Sequence, residues 1–288
     1  MARNTSGSHT SATDARARAR QIQEEQRRKD SRRRTGVIWG SVLAVVLVIG
    51  LVVAFVLNRN GDDAAAAGPI PAVANEQGGI ELTSATDLAE GAGEREVDPS
   101  KIEVPKQSAS SQPETLPDTE ARADGEPTRI VLYADFNCVH CADFETSNAD
   151  QIEQWLEQGE ATVEYRMVDY LSAPNNQNYS ARAANAAYCV ADQKPEAYNG
   201  FVAALFATYD EHQGKGLDNA AITQLAQEHG ADIASCVEDG TFRSAVEYTT
   251  RQARAAGVAG TPTVFVDGKN WALDGEDKTC LLYTSDAA

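Results

Sequence analysis

Two cysteines three positions apart, Cys138 and Cys141, lie where an apolar segment gives way to a helical one. Residues 130–134 form a short apolar run that predicts a buried strand, and the residues after Cys141 predict the first turns of a helix. A cysteine at the start of a helix faces free backbone N–H groups and the positive end of the helix dipole, which stabilise a thiolate. The second cysteine falls on the same helical face, within reach of a disulfide. The pair therefore predicts thiol–disulfide exchange, in which one thiol attacks and the other resolves.

The same motif is compatible with metal binding. A structural zinc site needs a second pair of ligands at short spacing, and the sequence contains no second C-x-x-C. Copper remains an alternative, because His140 together with the thiolates of Cys138 and Cys141 would form a set of soft ligands. The favoured interpretation is an enzyme without a metal, and the copper-binding module is the alternative from another functional class.

The N-terminal part of the chain predicts a membrane anchor. Residues 37–57 carry no charged side chain, and their number matches one bilayer crossing. Residues 1–36 contain ten Lys/Arg and four Asp/Glu, which is typical of a disordered basic tail that stays in the cytoplasm. A cleaved secretory signal would have a shorter apolar region and a shorter leader. We therefore expect a single-pass protein of the cell membrane, in contact with the lipid bilayer through residues 37–57, with its C-terminal domain extracytoplasmic.

The charge distribution argues against one class of partner. The net charge of the 288-residue chain is −18, although its first 36 residues are basic, so the body of the chain is strongly acidic. An acidic body does not favour binding to nucleic acid. Outside the membrane disulfides persist, and a redox-active cysteine pair there can act on other proteins.

The body of the chain predicts an α/β domain. Residues 58–126 are rich in Gly, Ala, Pro and acidic side chains, and we interpret them as an extracytoplasmic, mostly irregular linker with one short strand near Ile80. Residues 161–167 alternate in polarity and predict a second strand after the motif helix, which gives a parallel strand–helix–strand unit. Residues 171–259 are helical in pattern. A strand then follows Pro262, and residues 271–273 are expected to form its returning partner.

Two motifs in this order resemble the DsbA-like branch of the thioredoxin superfamily. They are Cys138-Val139-His140-Cys141 after a strand, and Gly260-Thr261-Pro262-Thr263 before a hairpin, separated by the helical segment. The resemblance covers roughly residues 128–273 and implies a thioredoxin-like fold with a helical insertion at about 171–259. It also implies that Pro262 is cis and faces the cysteine pair, and that Thr261 offers its backbone to an extended substrate. Cys138 would be the exposed nucleophile and Cys141 the shielded resolving thiol.

The resemblance carries expectations about activity and partners. It implies a protein thiol–disulfide oxidoreductase that oxidises cysteine pairs in exported proteins, with the redox-active disulfide in place of any cofactor. A membrane quinone-linked reoxidase of the DsbB or vitamin-K-epoxide-reductase type would restore the disulfide. His140 matches the strong oxidants, in which the imidazole stabilises the thiolate. Val139 stands where those oxidants have proline, and this departure keeps a disulfide reductase or isomerase open as an alternative.

A second departure concerns protons. Leu132 stands where many relatives have a buried acid that moves protons to and from the resolving thiol, and Asp135 is the nearest acid that would compensate.

The remaining cysteines and the C-terminus complete the predicted organisation. Cys189 and Cys236 lie 47 residues apart in helical segments and predict a structural disulfide outside the membrane, with a second redox pair as the alternative. Residues 280–288, which include Cys280, resemble a translated adapter sequence and are interpreted as an artefact. The DsbA-like domain would then span 127–279, without the final helix that the family implies.

Overall fold

The computed structural model describes residues 66–105 and 112–271. The predicted basic tail at 1–36, the membrane span at 37–57 and the artefact at 280–288 all lie outside these residues and stay predictions. Within the two described ranges, no helix combines the length and the apolar character that a membrane crossing requires.

A five-stranded mixed sheet forms the centre of the domain, in the order β2-β5-β4-β6-β7. Two short strands, β1 and β3, pair with each other in a separate two-stranded sheet. The strand bounds are β1 Gly68–Ile70, β2 Ile80–Leu82, β3 Arg95–Val97, β4 Thr128–Ala134, β5 Ala161–Met167, β6 Thr263–Val266 and β7 Lys269–Asn270. The central pair β4 and β5 is parallel, while β2, β6 and β7 join it in antiparallel pairings.

The helices include the long one that follows β4 and a set that lies between β5 and β6. Their bounds are α1 Val139–Gln158, α2 Tyr179–Gln193, α3 Tyr198–Ala207, α4 Tyr209–His212, α5 Asn219–Glu228, α6 Ala234–Asp239 and α7 Arg243–Ala255. Helix α1 ends where Gly159 adopts a left-handed conformation, with φ of 67°, and its N–H closes the last turn. The helical insertion and the parallel β4–α1–β5 unit predicted from the sequence are present.

A disulfide joins two helices of the insertion. Cys189 of α2 and Cys236 of α6 are bonded, with their Cα atoms 6.0 Å apart. The bond closes a loop of 47 residues, and such a cross-link restricts the unfolded chain. It leaves Cys138 and Cys141 as the free cysteines of the described residues.

The domain begins earlier than the sequence pattern predicts. Strand β2 lies at the edge of the sheet against β5, and its side chains Ile80 and Leu82 are fully buried. Leu116 is also buried, against the opposite side of the sheet. The strand predicted near Ile80 is therefore present as β2. The interpretation of 58–126 as a linker is too broad, because β2 pairs with β5 and Leu116 contributes to the core of the domain.

Polar side chains hold these N-terminal segments to the sheet. Glu164 of β5 is fully buried and accepts hydrogen bonds from Asn75 at 2.6 Å and from Arg129 at 2.8 Å. Arg166 pairs with Glu164 at 2.5 Å and with Asp118 at 2.8 Å. Both faces of β5 are thus buried, although its alternating sequence is typical of a strand with one face in water. Pairing satisfies charges that would otherwise make burial unfavourable.

The C-terminal hairpin is also shorter than predicted. Asp267 and Gly268 both have positive φ, at 45° and 84°, and form a tight turn after β6. The returning strand therefore begins at Lys269 and ends at Asn270, before the predicted residues 271–273. Asp267 also accepts a hydrogen bond from the backbone N–H of Arg129, at 2.9 Å, which ties the turn to β4.

Removing the N-terminal segments tests the revised boundary. A chain that begins at residue 127 lacks Ile80 and Leu82, and complete burial of each such side chain stabilises a fold by about 1.5–3 kcal/mol. We expect its free energy of unfolding, measured by urea denaturation, to be lower by at least about 3 kcal/mol than that of a chain that begins at residue 64. Equal midpoints and slopes for the two chains would restore the linker interpretation.

Candidate active site

The cysteine motif lies at the junction of β4 and α1. Cys138 is the N-cap of α1, with φ of −94° and ψ of 119°, and its carbonyl oxygen accepts from the N–H groups of Cys141 and Ala142 at 3.1 Å each. The N–H of Cys138 donates to the carbonyl of Asp135 at 3.0 Å. A compact turn therefore directs the Cys138 sulfur toward the free N–H groups of the first helical turn.

The Asp135 side chain stabilises that turn through hydrogen bonds. Its carboxylate is fully buried and accepts from the backbone N–H of Asn137 at 2.8 Å and from that of Leu171 at 2.9 Å. Burial raises the pKa of Asp135 to about 6, against the effect of hydrogen bonds from Ser180 and the two N–H groups. Asp135 thus links the active-site turn to the segment that follows β5.

The structure brings the second motif against the first. The Thr261–Pro262 peptide bond is cis, and the Cys138 sulfur lies 3.4 Å from the carbonyl oxygen of Thr261. The predicted site residues Cys138, Cys141, Thr261 and Pro262 are thereby gathered at one end of the sheet. Their predicted roles as nucleophile, resolving thiol and substrate-binding loop stay predictions at this point.

Side chains from distant segments hold the loop before Pro262. Gln112 accepts from the N–H of Ala259 at 3.2 Å and donates to the carbonyl of Gly260 at 3.4 Å. The Tyr170 hydroxyl donates to the carbonyl of Val258 at 2.6 Å. Sequence reasoning did not identify Gln112 or Tyr170, because each is separated from its partner by many residues and belongs to no motif.

The pKa values of the two thiols are shifted in opposite directions. The pKa of Cys138 is lowered to about 5, chiefly by a hydrogen bond from the Cys141 thiol, which outweighs the opposing effect of burial. The Thr261 side chain and the backbone N–H groups of Cys141 and His140 also stabilise this thiolate. Burial raises the pKa of Cys141 well above that of an ordinary thiol. One sulfur is therefore an anion at neutral pH and the other keeps its proton.

Both sulfurs are more enclosed than expected. Cys138 retains 7% of its accessible surface and Cys141 retains 1%, so the description of Cys138 as exposed is wrong in degree. Cys138 nevertheless borders an open groove of about 630 Å³, whereas Cys141 is not among the residues that line it. A reagent in the groove can therefore reach Cys138 first.

His140 contributes through its backbone. Its side chain is 77% exposed, and its Nδ1 lies 3.9 Å from a carboxylate oxygen of Asp143, which is itself exposed. The N–H of His140 is the group that stabilises the Cys138 thiolate. The predicted contribution of the imidazole to the thiolate stays a prediction.

Glu145 is a buried acid that sequence reasoning missed. It lies four residues after Cys141 on α1, which places both on one face of the helix. One carboxylate oxygen accepts from the Tyr165 hydroxyl at 3.2 Å, and the other is buried without a hydrogen-bond partner. Burial raises the pKa of Glu145 to about 7. The signal in the sequence was the spacing, an acid at the position where α1 otherwise presents apolar residues to the core.

The helical insertion also contacts the active-site turn. Asn137 donates from its side chain to the carbonyl of Gly214 at 3.1 Å. His212 in turn accepts from the N–H groups of Gly214 and Gly216, at 3.2 Å each. His212 is only 7% exposed, although its neighbours in the sequence are mostly polar. The polar residues around it in the sequence form a compact turn that encloses the ring.

The copper alternative gains no support from the side-chain arrangement. Across residues 66–105 and 112–271, no group of three or more His, Cys, Asp and Glu side chains is placed to hold a metal ion. The His140 ring lies beside Asp143, and the Cys138 sulfur lies against the carbonyl oxygen of Thr261.

The pH dependence of stability tests the burial of Glu145. Its pKa of about 7 in the fold lies above the ordinary value of 4.5. Its contribution to stability is therefore fully present below the ordinary pKa and is lost as the pH rises through about 7. Between about pH 5 and pH 8 this loss amounts to about 2 to 3 kcal/mol.

The substitution Glu145→Gln keeps the side chain neutral at every pH. We expect urea unfolding of this variant to lose less stability than the parent over that interval, with the remaining slope arising from groups such as Asp135, whose pKa is also raised. Parallel stability–pH curves for the two proteins would show that Glu145 is not a buried, proton-binding group.

Comparison with known proteins identifies the family of this chain. The thioredoxin family model matches residues 124–280, more than half of the chain. The chain is 29% identical over 164 residues to the serine/threonine-protein kinase PknE of Mycobacterium tuberculosis. This match covers 54% of the chain and 29% of the kinase, so the chain spans less than a third of the length of this curated relative.

Two solved structures extend the comparison. Reduced DsbA from Mycobacterium tuberculosis is 32% identical, and the alignment covers 55% of this chain and 82% of that chain with a TM-score of 0.47. Oxidised BdbD from Bacillus subtilis is 18% identical, covers 63% of this chain and 96% of that chain, and has a TM-score of 0.51, which indicates a shared fold. By the family match over more than half of its length, the chain belongs to the thioredoxin family.

Proposed function

We propose that this protein is an extracytoplasmic thiol oxidase that introduces disulfides into exported proteins through a Cys138–Cys141 disulfide. The observation that carries the proposal is the stabilised Cys138 thiolate beside a protonated Cys141. An enzyme whose reduced form is stabilised releases free energy when it accepts electrons, so its disulfide is a better oxidant.

The size of this effect favours oxidation. A thiol with a pKa of about 5 is almost wholly ionised at neutral pH, whereas an ordinary thiol is not. The difference stabilises the reduced enzyme by about 3 kcal/mol at pH 7, which corresponds to a reduction potential about 60 mV more oxidising. The groups that produce it belong to the fold itself, since they are backbone N–H groups, Thr261 and Cys141.

The first half of the reaction transfers the disulfide to the substrate. A substrate thiolate in the groove attacks the Cys138 sulfur, and the bond between Cys138 and Cys141 breaks. The electron pair of that bond stays on Cys141, which takes up a proton because burial makes its thiolate unfavourable. Glu145, with a pKa of about 7 and one free oxygen, is the acid we assign to deliver this proton.

The second half completes oxidation of the substrate. A second substrate thiolate attacks the substrate sulfur in the mixed disulfide, and Cys138 leaves as its stabilised thiolate. Two electrons have then passed from the two substrate thiols to the enzyme, and the substrate holds a new disulfide. Reoxidation requires an external acceptor of two electrons, for which the family resemblance implies a quinone-linked membrane enzyme.

The cellular setting follows from the sequence. Residues 37–57 would anchor the chain and place the described domain outside the cell membrane, where the Cys189–Cys236 disulfide is stable. The substrates would be exported proteins with free cysteine pairs.

A disulfide reductase or isomerase is the second candidate, and one observation favours it. Val139 between the cysteines is 41% exposed and replaces the proline of the strong oxidants. A residue at this position lies between the two cysteines in the sequence, and its replacement can change the reduction potential of the pair.

Replacement of the nucleophile tests the proposal. We expect Cys138→Ser to abolish oxidation of a reduced model protein with several cysteines, because no other sulfur borders the groove in the described part of the chain. The matched variant Cys141→Ser should also lose turnover. When it is mixed with the oxidised form of the model protein, its Cys138 thiolate should attack a disulfide of that protein, release one of its two sulfurs as a thiolate and remain in a mixed disulfide, visible by mass spectrometry. Oxidation retained by Cys138→Ser would refute the assignment, and efficient reduction of disulfides with negligible oxidation by the parent enzyme would favour the second candidate.

A further inference from the structure

The groove beside Cys138 is lined by sulfur, apolar and cationic side chains. Its lining includes Cys138, Thr261 and the apolar residues Val104, Pro105 and Leu171. Leu171 is 44% exposed, which makes it one of the most exposed large apolar side chains of the described residues. Arg254, in the last turn of α7, is the one positively charged side chain among the described residues that line the groove.

Arg254 lacks an acidic partner in the part of the chain that the structure describes. In residues 66–105 and 112–271 no carboxylate lies within ion-pair distance of its guanidinium, although acids outnumber bases in the chain. The neighbouring arginine of the same helix behaves differently, since Arg251 pairs with Glu247 at 2.6 Å. The carboxylate of Asp169, which precedes Tyr170, is occupied by the Thr250 hydroxyl at 2.8 Å.

Tyr170 holds Arg254 in position. The guanidinium carbon lies 5.0 Å from the centroid of the Tyr170 ring, within the range of a cation–π interaction. The ring is fixed in turn, because its hydroxyl donates to the carbonyl of Val258 in the loop that leads to Pro262. A long side chain that would otherwise sample many rotamers is thus oriented toward the groove, which lowers the entropy lost on binding.

We propose that Arg254 is a specificity-determining residue that selects substrates with an acidic side chain close to the reacting cysteine. This inference rests on the proposed function and names the class of substrate that its groove prefers. A guanidinium that no carboxylate of the described residues pairs with can bind a substrate carboxylate through charge-assisted hydrogen bonds, and the apolar residues of the groove contact the rest of an extended peptide. The acidic surface of the protein does not oppose this selection at short range, because charges beyond about 8–10 Å are screened in physiological salt.

A peptide series measures the preference. Each peptide carries two cysteines and, at one to three positions on either side of the first cysteine, either Asp, Asn or Lys. The rate at which each peptide reduces the oxidised full-length protein is divided by its rate with a small-molecule disulfide, which removes the effect of the acidic residue on the peptide thiol itself. We expect a normalised Asp-to-Asn ratio of about three to five at one or more positions, the size of a partly exposed ion pair.

Variants of the enzyme assign the preference to one side chain. Arg254→Gln should bring the Asp-to-Asn ratio to about one, Arg254→Lys should retain most of it, and Arg254→Glu should favour the Lys peptide. Arg251→Gln is the matched control, since Arg251 lies one turn away on α7 and is already paired, and it should leave the ratio as in the parent.

The outcomes separate the inference from the proposed function. If the Asn peptide reduces the parent enzyme while the ratio is one at every position, or if the ratio persists in Arg254→Gln, the inference is wrong and the oxidase proposal stands. If no peptide reduces the parent enzyme, the oxidase proposal fails. Binding of the same peptides with serine in place of cysteine then decides the inference independently, because the Asp preference and its loss in Arg254→Gln do not require electron transfer.

Discussion

The hydrogen bond from the Cys141 thiol to the Cys138 sulfur is the interaction on which the rest of the site depends. It is the largest of the contributions that lower the pKa of Cys138, and it requires Cys141 to remain protonated. Burial provides that condition, since it raises the pKa of Cys141. The difference in pKa between two sulfurs one helical turn apart therefore arises from their difference in burial. Cys138 lies at the N-terminus of α1 beside the groove, whereas Cys141 faces the core.

Much of the fold serves to hold this pair against the loop of Pro262. Asp135 shapes the turn from inside the sheet, Asn137 connects it to the helical insertion, and Gln112 fastens the opposing loop from the N-terminal side. These contacts bridge large separations in sequence, so they form only when the whole domain has folded. The interior beside the site contains two buried acids, Asp135 and Glu145, and both have raised pKa values. An interior of this kind can exchange protons with a thiol, which a purely apolar core cannot do.

The sequence predicted the elements whose signal is local. Strand β4 and the start of helix α1 follow from the apolar spacing of the sequence on either side of the cysteine motif. The short strand near Ile80 was predicted and is β2, but its place at the edge of the sheet was not, because a strand of three residues carries no signal that identifies β5 as its partner. The alternation of Glu164 and Arg166 with apolar residues is typical of a strand with one face in water. Both side chains are buried instead, because Arg129 and Asp118 pair with their charges and Asn75 donates a hydrogen bond to Glu164. Arg254 and Tyr170 had no signal at all, because their relation to the groove exists only in three dimensions.

Titration of the Cys138 thiol tests the central claim most directly. Thiolate absorbance and the rate of alkylation, followed across pH in the reduced full-length protein, report the ionised fraction of this sulfur. We predict a midpoint near 5, as the lowered pKa of Cys138 requires, and a higher midpoint in Cys141→Ala, which lacks the donor thiol. A midpoint near that of an ordinary thiol, about 8.5, or one that Cys141→Ala leaves unchanged, would contradict the account.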